Sequence, residues 1–334
     1  MTPATSPVGR GVGAGLLWAT WRQHRWLLVL TTAAVLAVSG TALWLCAEAG
    51  PGPVSEAQLR FLRTVTDGLL YAVTGFAGFA ATFWGAPLVA REFEQRTQLW
   101  AWSQDVPAGR WLAVKVLVFG LVLAVLAALL GAVTMTLTHR LHGQDPFGYP
   151  PFASVAFELW PPLQVAYALF GLALGVATSV LTRRTLAAMG AALAGFVAVR
   201  LVIAVLARPH YLPPVRNVRP QDDPSPMIGA DSLHEVLVVG RGGWMNTTGE
   251  LAPLGGDELP QPIHDCLFGG SGRLTACLAE HGWTRSYLDY QPADRLLTFR
   301  LVETGVFLLL AAALYLLARQ RVRALSGHRR RTVA

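Results

Sequence analysis

Six long apolar stretches govern what this chain can become. They lie near residues 26–46, 67–90, 112–138, 162–181, 186–207 and 301–318. About 20 helical residues cross the hydrocarbon core of a bilayer. Inside lipid, only a structure that satisfies its own backbone hydrogen bonds persists, so each stretch reads as a membrane helix. The rest of the composition agrees: 53% of the 334 residues are hydrophobic and 14% are charged, well below the quarter or so that a water-soluble domain carries. The third stretch is long enough to tilt. The fourth and fifth are separated only by Thr182-Arg183-Arg184-Thr185, a tight helical hairpin.

The basic residues then set an orientation. The formal charge of +7 could serve nucleic acid, but the arginines lie between apolar runs, where they act as topology signals. No nucleic-acid partner is expected. With the N-terminus inside, Arg22 and Arg25, Arg91 to Lys115, Arg183 and Arg184, and Arg319 to Arg331 all fall on the cytoplasmic side, against Arg60, Arg63 and Arg140 outside. The sequence therefore predicts a multi-pass protein of the cell membrane with both termini cytoplasmic. Its segments are a cytoplasmic lead at 1–25, five helices within 26–207, an external segment at 208–299, a sixth helix at 300–318 and a basic tail at 319–334. Indole rings of Trp26, Trp44, Trp111 and Trp160 mark the expected interfaces.

Lys115 is the single lysine, and it sits in Val114-Lys115-Val116. A phosphate-gripping loop needs Gly-Lys followed by Ser or Thr, so this chain holds no Walker-type ATPase and is not expected to be an enzyme by itself. There is likewise no His-Glu-x-x-His and no Gly-x-Ser-x-Gly, the anchors that hydrolytic readings require.

Three sets of residues carry chemistry. Arg91-Glu92-Phe93-Glu94-Gln95-Arg96-Thr97 opens a stretch, 91–104, in which Phe93, Thr97 and Trp100 recur at helical spacing while Glu92, Glu94 and Arg96 stay wet; it reads as a short amphipathic helix along the inner membrane surface. Arg200 falls within the fifth stretch and Glu303 enters the sixth at comparable depth. An arginine facing lipid is costly, so the two are expected to pair. In the Pro-rich external segment, Cys266 and Cys277 are on the oxidising side, where a disulfide persists. His264 and His281 add a zinc alternative at the same place.

The motifs Thr20-Trp21-Arg22-Gln23-His24-Arg25, Phe83-Trp84-Gly85-Ala86-Pro87-Leu88-Val89-Ala90-Arg91-Glu92-Phe93-Glu94 leading to Thr97, Leu174-Gly175 and Thr182-Arg183-Arg184-Thr185 resemble the ABC-2 type transport permeases, the membrane subunits of ATP-binding-cassette exporters. The resemblance covers nearly all the hydrophobic chain and is weakest across 208–299. It implies an all-α membrane protein with the ABC-2 type exporter fold, six transmembrane helices and an external segment between helices 5 and 6. It implies a coupling helix at 91–104, with Arg91, Glu92, Glu94, Arg96 and Thr97 docking a separate ATPase subunit. It also implies a homodimer or a pseudo-dimer with a similar permease, and no cofactor in this chain, ATP and Mg being bound by the partner. Two other classes remain open at this point: a membrane-embedded enzyme working at the external face, which would draw on the Cys/His set, and a ligand-sensing membrane protein.

Overall fold

A computed structural model describes residues 11–50, 54–96, 107–144, 149–221, 235–240, 242–254, 259–268 and 274–332. The chain divides into two compact units. One comprises residues 1–144, 158–202 and 300–334; the other comprises 145–157 and 203–299.

The first unit is helical. Its elements are α1 (Gly11–Glu48), α2 (Glu56–Phe79), a π-helical turn (Ala80–Gly85), α3 (Ala86–Gln95), α4 (Ala108–Gln144), α6 (Pro161–Thr182), α7 (Thr185–Val202) and most of α10 (Leu296–Thr332). Six helical stretches are long and apolar enough to cross a membrane: 21–48, 56–95, 108–142, 161–182, 185–210 and 293–325. They overlap the six sequence stretches but run further. Helix α1 is already formed at Gly11, and α10 continues as helix through Thr332.

Helix α6 is the hub. It packs against α4, α7, α3 and the π turn, and it is buried on nearly every side. Its small residues make that possible. A Cβ on Gly175 would lie 2.3 Å from the Ala81 carbonyl oxygen, and one on Gly171 would lie 2.5 Å from that of Ala77. The approach is reciprocal, since a Cβ on Gly85 would meet the Leu172 carbonyl oxygen at 2.7 Å. Lipid gives helices no hydrophobic reason to associate, so close backbone packing of this kind supplies the attraction. Pro161 begins α6, where its missing N–H costs nothing.

The π turn has a local cause. Pro87 lies two residues into α3; it lacks an N–H, and its ring would collide with the carbonyl one turn back. The widened turn just before it makes room. Trp84 fixes the turn from one side, donating from Nε1 to Thr31 Oγ1 at 3.2 Å and stacking edge-on against Phe119. Ser179 Oγ on α6 lies 2.5 Å from the Ala86 carbonyl oxygen on the other.

The second unit departs from the all-α expectation. It holds a five-stranded antiparallel sheet of β1 (Val215–Pro220), β2 (Leu237–Val238), β3 (Gly243–Asn246), β4 (Leu251–Pro253) and β5 (Trp283–Gln291), in the order β1-β5-β3-β4 with β2 also on β5. The central strand β5 buries Trp283, Tyr287 and Gln291, which share one face because side chains alternate sides along a strand. Trp244, Ala252 and Trp283 form a core with Ile263, Cys266 and Leu278 from two short helices, α8 (Gln261–Phe268) and α9 (Leu274–Glu280). Cys266 and Cys277 form a disulfide that joins those helices. Arg216 and Asp289 face each other across β1 and β5, with Nε–Oδ1 at 2.7 Å and a second bond at 2.8 Å. That hydrogen bonding holds the Arg216 guanidinium above its usual range, while burial raises the neighbouring Tyr287 phenol. A short helix, α5 (Ser154–Glu158), lies largely in this unit; Phe152 packs edge-on against Phe299, and Arg208 sits over the Phe157 ring.

Candidate coupling site and buried charges

One end of the helical unit gathers the basic residues. There α3 stops, α4 starts, the α6–α7 hairpin turns, and α10 brings Arg319 to Arg323. The side chain of Arg323 lies over Gly109 at the start of α4.

The residues expected to dock a partner separate into two kinds. Residues 91–95 are not the beginning of a detached interfacial helix: they are the last turns of α3, which continues the second membrane span and ends at Arg96. Arg96 takes the left-handed conformation, φ 57°, and its N–H bonds to the carbonyls of Glu92 and Phe93. That conformation is rare for a side chain with a Cβ, and it turns the chain out of the helix. Arg91, Glu94 and Arg96 are exposed. Thr97, and the rest of the stretch through residue 104, lie outside the described residues.

Glu92 is the correction. It is 7% exposed, and its carboxylate is bonded to the ammonium of Lys115, itself 5% exposed. The helical repeat of residue 93 with 97 and 100 assigned Glu92 to the wet side, but that repeat runs across the break at Arg96. Along α3 itself, Glu92 follows Leu88 and Val89 onto the packed face at the i, i+3, i+4 spacing that groups residues on one side of a helix. Lys115 also lies 4.8 Å from the Trp111 ring centroid. The signal for this pair was the lone lysine within an apolar helix, because a buried ammonium requires a counter-charge.

Glu94 has a second task. Its Oε1 accepts from the Thr185 backbone N–H at 2.8 Å and its Oε2 from the Thr185 hydroxyl at 2.7 Å. It therefore caps the N-terminus of α7 from another helix, where carboxylates are favoured by orphan N–H groups and the helix dipole. Exposed and hydrogen-bonded at once, it ties the end of α3 to the α6–α7 hairpin.

Arg200 and Glu303 do not form the pair expected of them. Arg200 pairs with Glu158 at the end of α5 and donates to the Thr74 carbonyl at 2.8 Å. Glu303, 1% exposed, accepts from the Tyr167 hydroxyl at 2.5 Å. Tyr167 stands between the two, since the Arg200 guanidinium lies 4.6 Å above its ring. The result is a chain of contacts from Glu158 through Arg200 and Tyr167 to Glu303, all within the helical unit, linking α6, α7 and α10. Arg200 is satisfied by a carboxylate, a carbonyl and a ring face, which is what a buried guanidinium needs. Glu158 lies in the connector before the fourth span, outside the apolar stretches in which a charge stands out.

The four residues of the zinc alternative do not converge. Cys266, Cys277 and His281 have potential ligand atoms within 4.8 Å of one another, but the two sulfurs are bonded to each other. The Nδ1 of His281 lies 2.9 Å from the Cys277 carbonyl, and His264 rests against Asp265 and Phe268.

Six helices long and apolar enough to cross a membrane, a core built on backbone contact, and charges neutralised within the bundle fit a multi-pass membrane protein. The sequence matches the family described as ABC-2 membrane transporter related over residues 19–208, more than half of the chain and all of the first five spans but the outermost residues of the fifth. The chain belongs to that family and is a transport permease, in keeping with its resemblance to ABC-2 type permeases. The family's members are membrane transport components rather than enzymes, and they typically partner with an ATPase subunit. Comparison with curated proteins returns no significant match.

Proposed function

We propose that this chain is the permease subunit of an ABC exporter in the cell membrane, with both termini cytoplasmic, lining the substrate pathway and drawing its work from a separate ATPase that binds ATP and Mg. Two copies, or this chain and a similar permease, form the pathway between them. The ATPase docks at the basic end, on the exposed Arg91, Glu94 and Arg96 and the chain that follows from Thr97. Glu92 acts behind that surface. Its bond to Lys115 closes the span from α3 to α4 on either side of the docking segment, so a push on the segment reaches both helices together. Glu94 passes the same displacement to α7 through Thr185.

The observation that carries this reading is the clamp. A buried ion pair brackets the residues between Gln95 and Ala108, in a family whose members work with ATPases. The test is co-purification with the ATPase subunit. Arg91→Glu combined with Arg96→Asn should abolish association while the permease stays inserted; asparagine tolerates the left-handed backbone at residue 96. Glu92→Gln combined with Lys115→Met, which leaves no buried charge unpaired, should leave association intact and uncouple ATP hydrolysis from transport. Association that survives the Arg91 and Arg96 changes overturns the docking assignment.

A further inference from the structure

A second basic feature at the same end is not used by this account. Between the α6–α7 hairpin and α10 lies a cavity of about 320 Å3, lined by Val180, Leu181, Arg183, Arg321, Ala324 and Leu325. The lining is of two kinds: four aliphatic residues, and two arginines brought from separate elements. No carboxylate lines it, and among the described residues neither Arg183 nor Arg321 has an acidic partner within ion-pair distance. Both are exposed. The fold takes some trouble over Arg183. It sits at φ 55° as the C-cap of α6, with its N–H on the Ser179 carbonyl, so the side chain is set by the hairpin turn rather than by a free helix face.

From these observations we infer that this cavity binds the phosphate of an anionic phospholipid, the headgroup held by Arg183 and Arg321 and the upper acyl chain lying on Val180, Leu181, Ala324 and Leu325. Arginine grips phosphate oxygens through its fork of donors, and basic pockets between membrane helices are suited to anionic headgroups. The volume falls within the roughly 300–1,000 Å3 of small-molecule sites. Leu181, 56% exposed, continues the apolar wall toward lipid, which favours a tailed ligand over a soluble anion. The leaflet is the cytoplasmic one if the orientation proposed above holds, but binding itself does not depend on orientation.

The test uses the full chain purified in a neutral detergent. Phosphatidylglycerol, phosphatidylcholine and inorganic phosphate are titrated separately, with bound lipid read by native mass spectrometry and thermal stability read alongside. Phosphatidylglycerol should bind and raise the melting temperature by about 3–5 °C near saturation; phosphatidylcholine should not. Arg183→Asn with Arg321→Gln should weaken phosphatidylglycerol binding about 30-fold, from the loss of two arginines, while Arg110→Gln, a basic residue outside the cavity, should not. Asparagine is chosen at 183 because it accepts the left-handed backbone, and an unchanged melting temperature without lipid shows that the variant folds. Equal binding to wild type and the double variant overturns the site. A shift with inorganic phosphate as large as that with phosphatidylglycerol overturns the lipid assignment. Failure of the ATPase co-purification above would leave these results unaffected.

Discussion

The two units of this protein solve the same problem with opposite means. The helical unit has no water to rely on, so it holds together by backbones brought within reach at Gly171 and Gly175 and by charges neutralised inside it, Glu92 with Lys115 and Glu158 with Arg200. The sheet unit is built on short strands with a small core around Trp244 and Trp283 and a disulfide across two short helices. The difference teaches where each is vulnerable. In the helical unit one added methylene or one orphaned charge is felt along several helices. In the sheet unit, damage is confined.

The comparison can be broken most forcefully at Gly175. Gly175→Leu drives a side chain into the Ala81 carbonyl and should cost at least about 3 kcal/mol, read as loss of folded, monodisperse permease in detergent. The disulfide should still form, and its loss would mean the units do not fail separately. Next comes the buried clamp. Glu92→Gln or Lys115→Met alone should destabilise by about 3–5 kcal/mol, because each leaves a buried charge unpaired, and the double change should recover much of that. Additive losses in thermal melts would remove the clamp. In the sheet unit, Cys266→Ser with Cys277→Ser should cost about 3 kcal/mol for so short a loop. Hydrogen exchange should rise in α8, α9 and β5 and stay unchanged in α6. Smallest is Tyr167→Phe, at about 1.5–3 kcal/mol for a bond to a charged group. A double-mutant cycle sharpens it: Arg200 and Glu158 should couple more strongly than Arg200 and Glu303.

How much of this was legible follows the same division. Hydropathy located all six spans because lipid demands apolar length, whatever the tertiary contacts. It could not say which charge meets which. Depth alone matched Arg200 with Glu303, whereas the actual partner, Glu158, lies in the connector before the fourth span, and Tyr167 stands between Arg200 and Glu303. The helical repeat through Trp100 misplaced Glu92, since nothing in composition announces that Arg96 turns left-handed; the counter-signal was Lys115. Gly171 and Gly175, four residues apart on α6, are a central packing contact that hydropathy does not announce. In the external segment, the prolines and glycines gave the look of a loop and concealed a sheet whose strands pair across some 70 residues, Val215 with Tyr290. Of the docking residues, Arg91, Glu94 and Arg96 keep an exposed surface, Glu92 does not, and Glu94 also caps α7, so reversing its charge alone would confuse docking with folding.

The central claim is that the segment leaving α3 at Arg96 faces the cytoplasm, where an ATPase can reach it. Gln95→Cys, placed in a chain with Cys46→Ser so that the disulfide sulfurs are the other cysteines left, tests this with a membrane-impermeant maleimide. The account predicts labelling in inside-out vesicles and none in right-side-out vesicles, with protection when the ATPase subunit is bound. Labelling from the outside would contradict it.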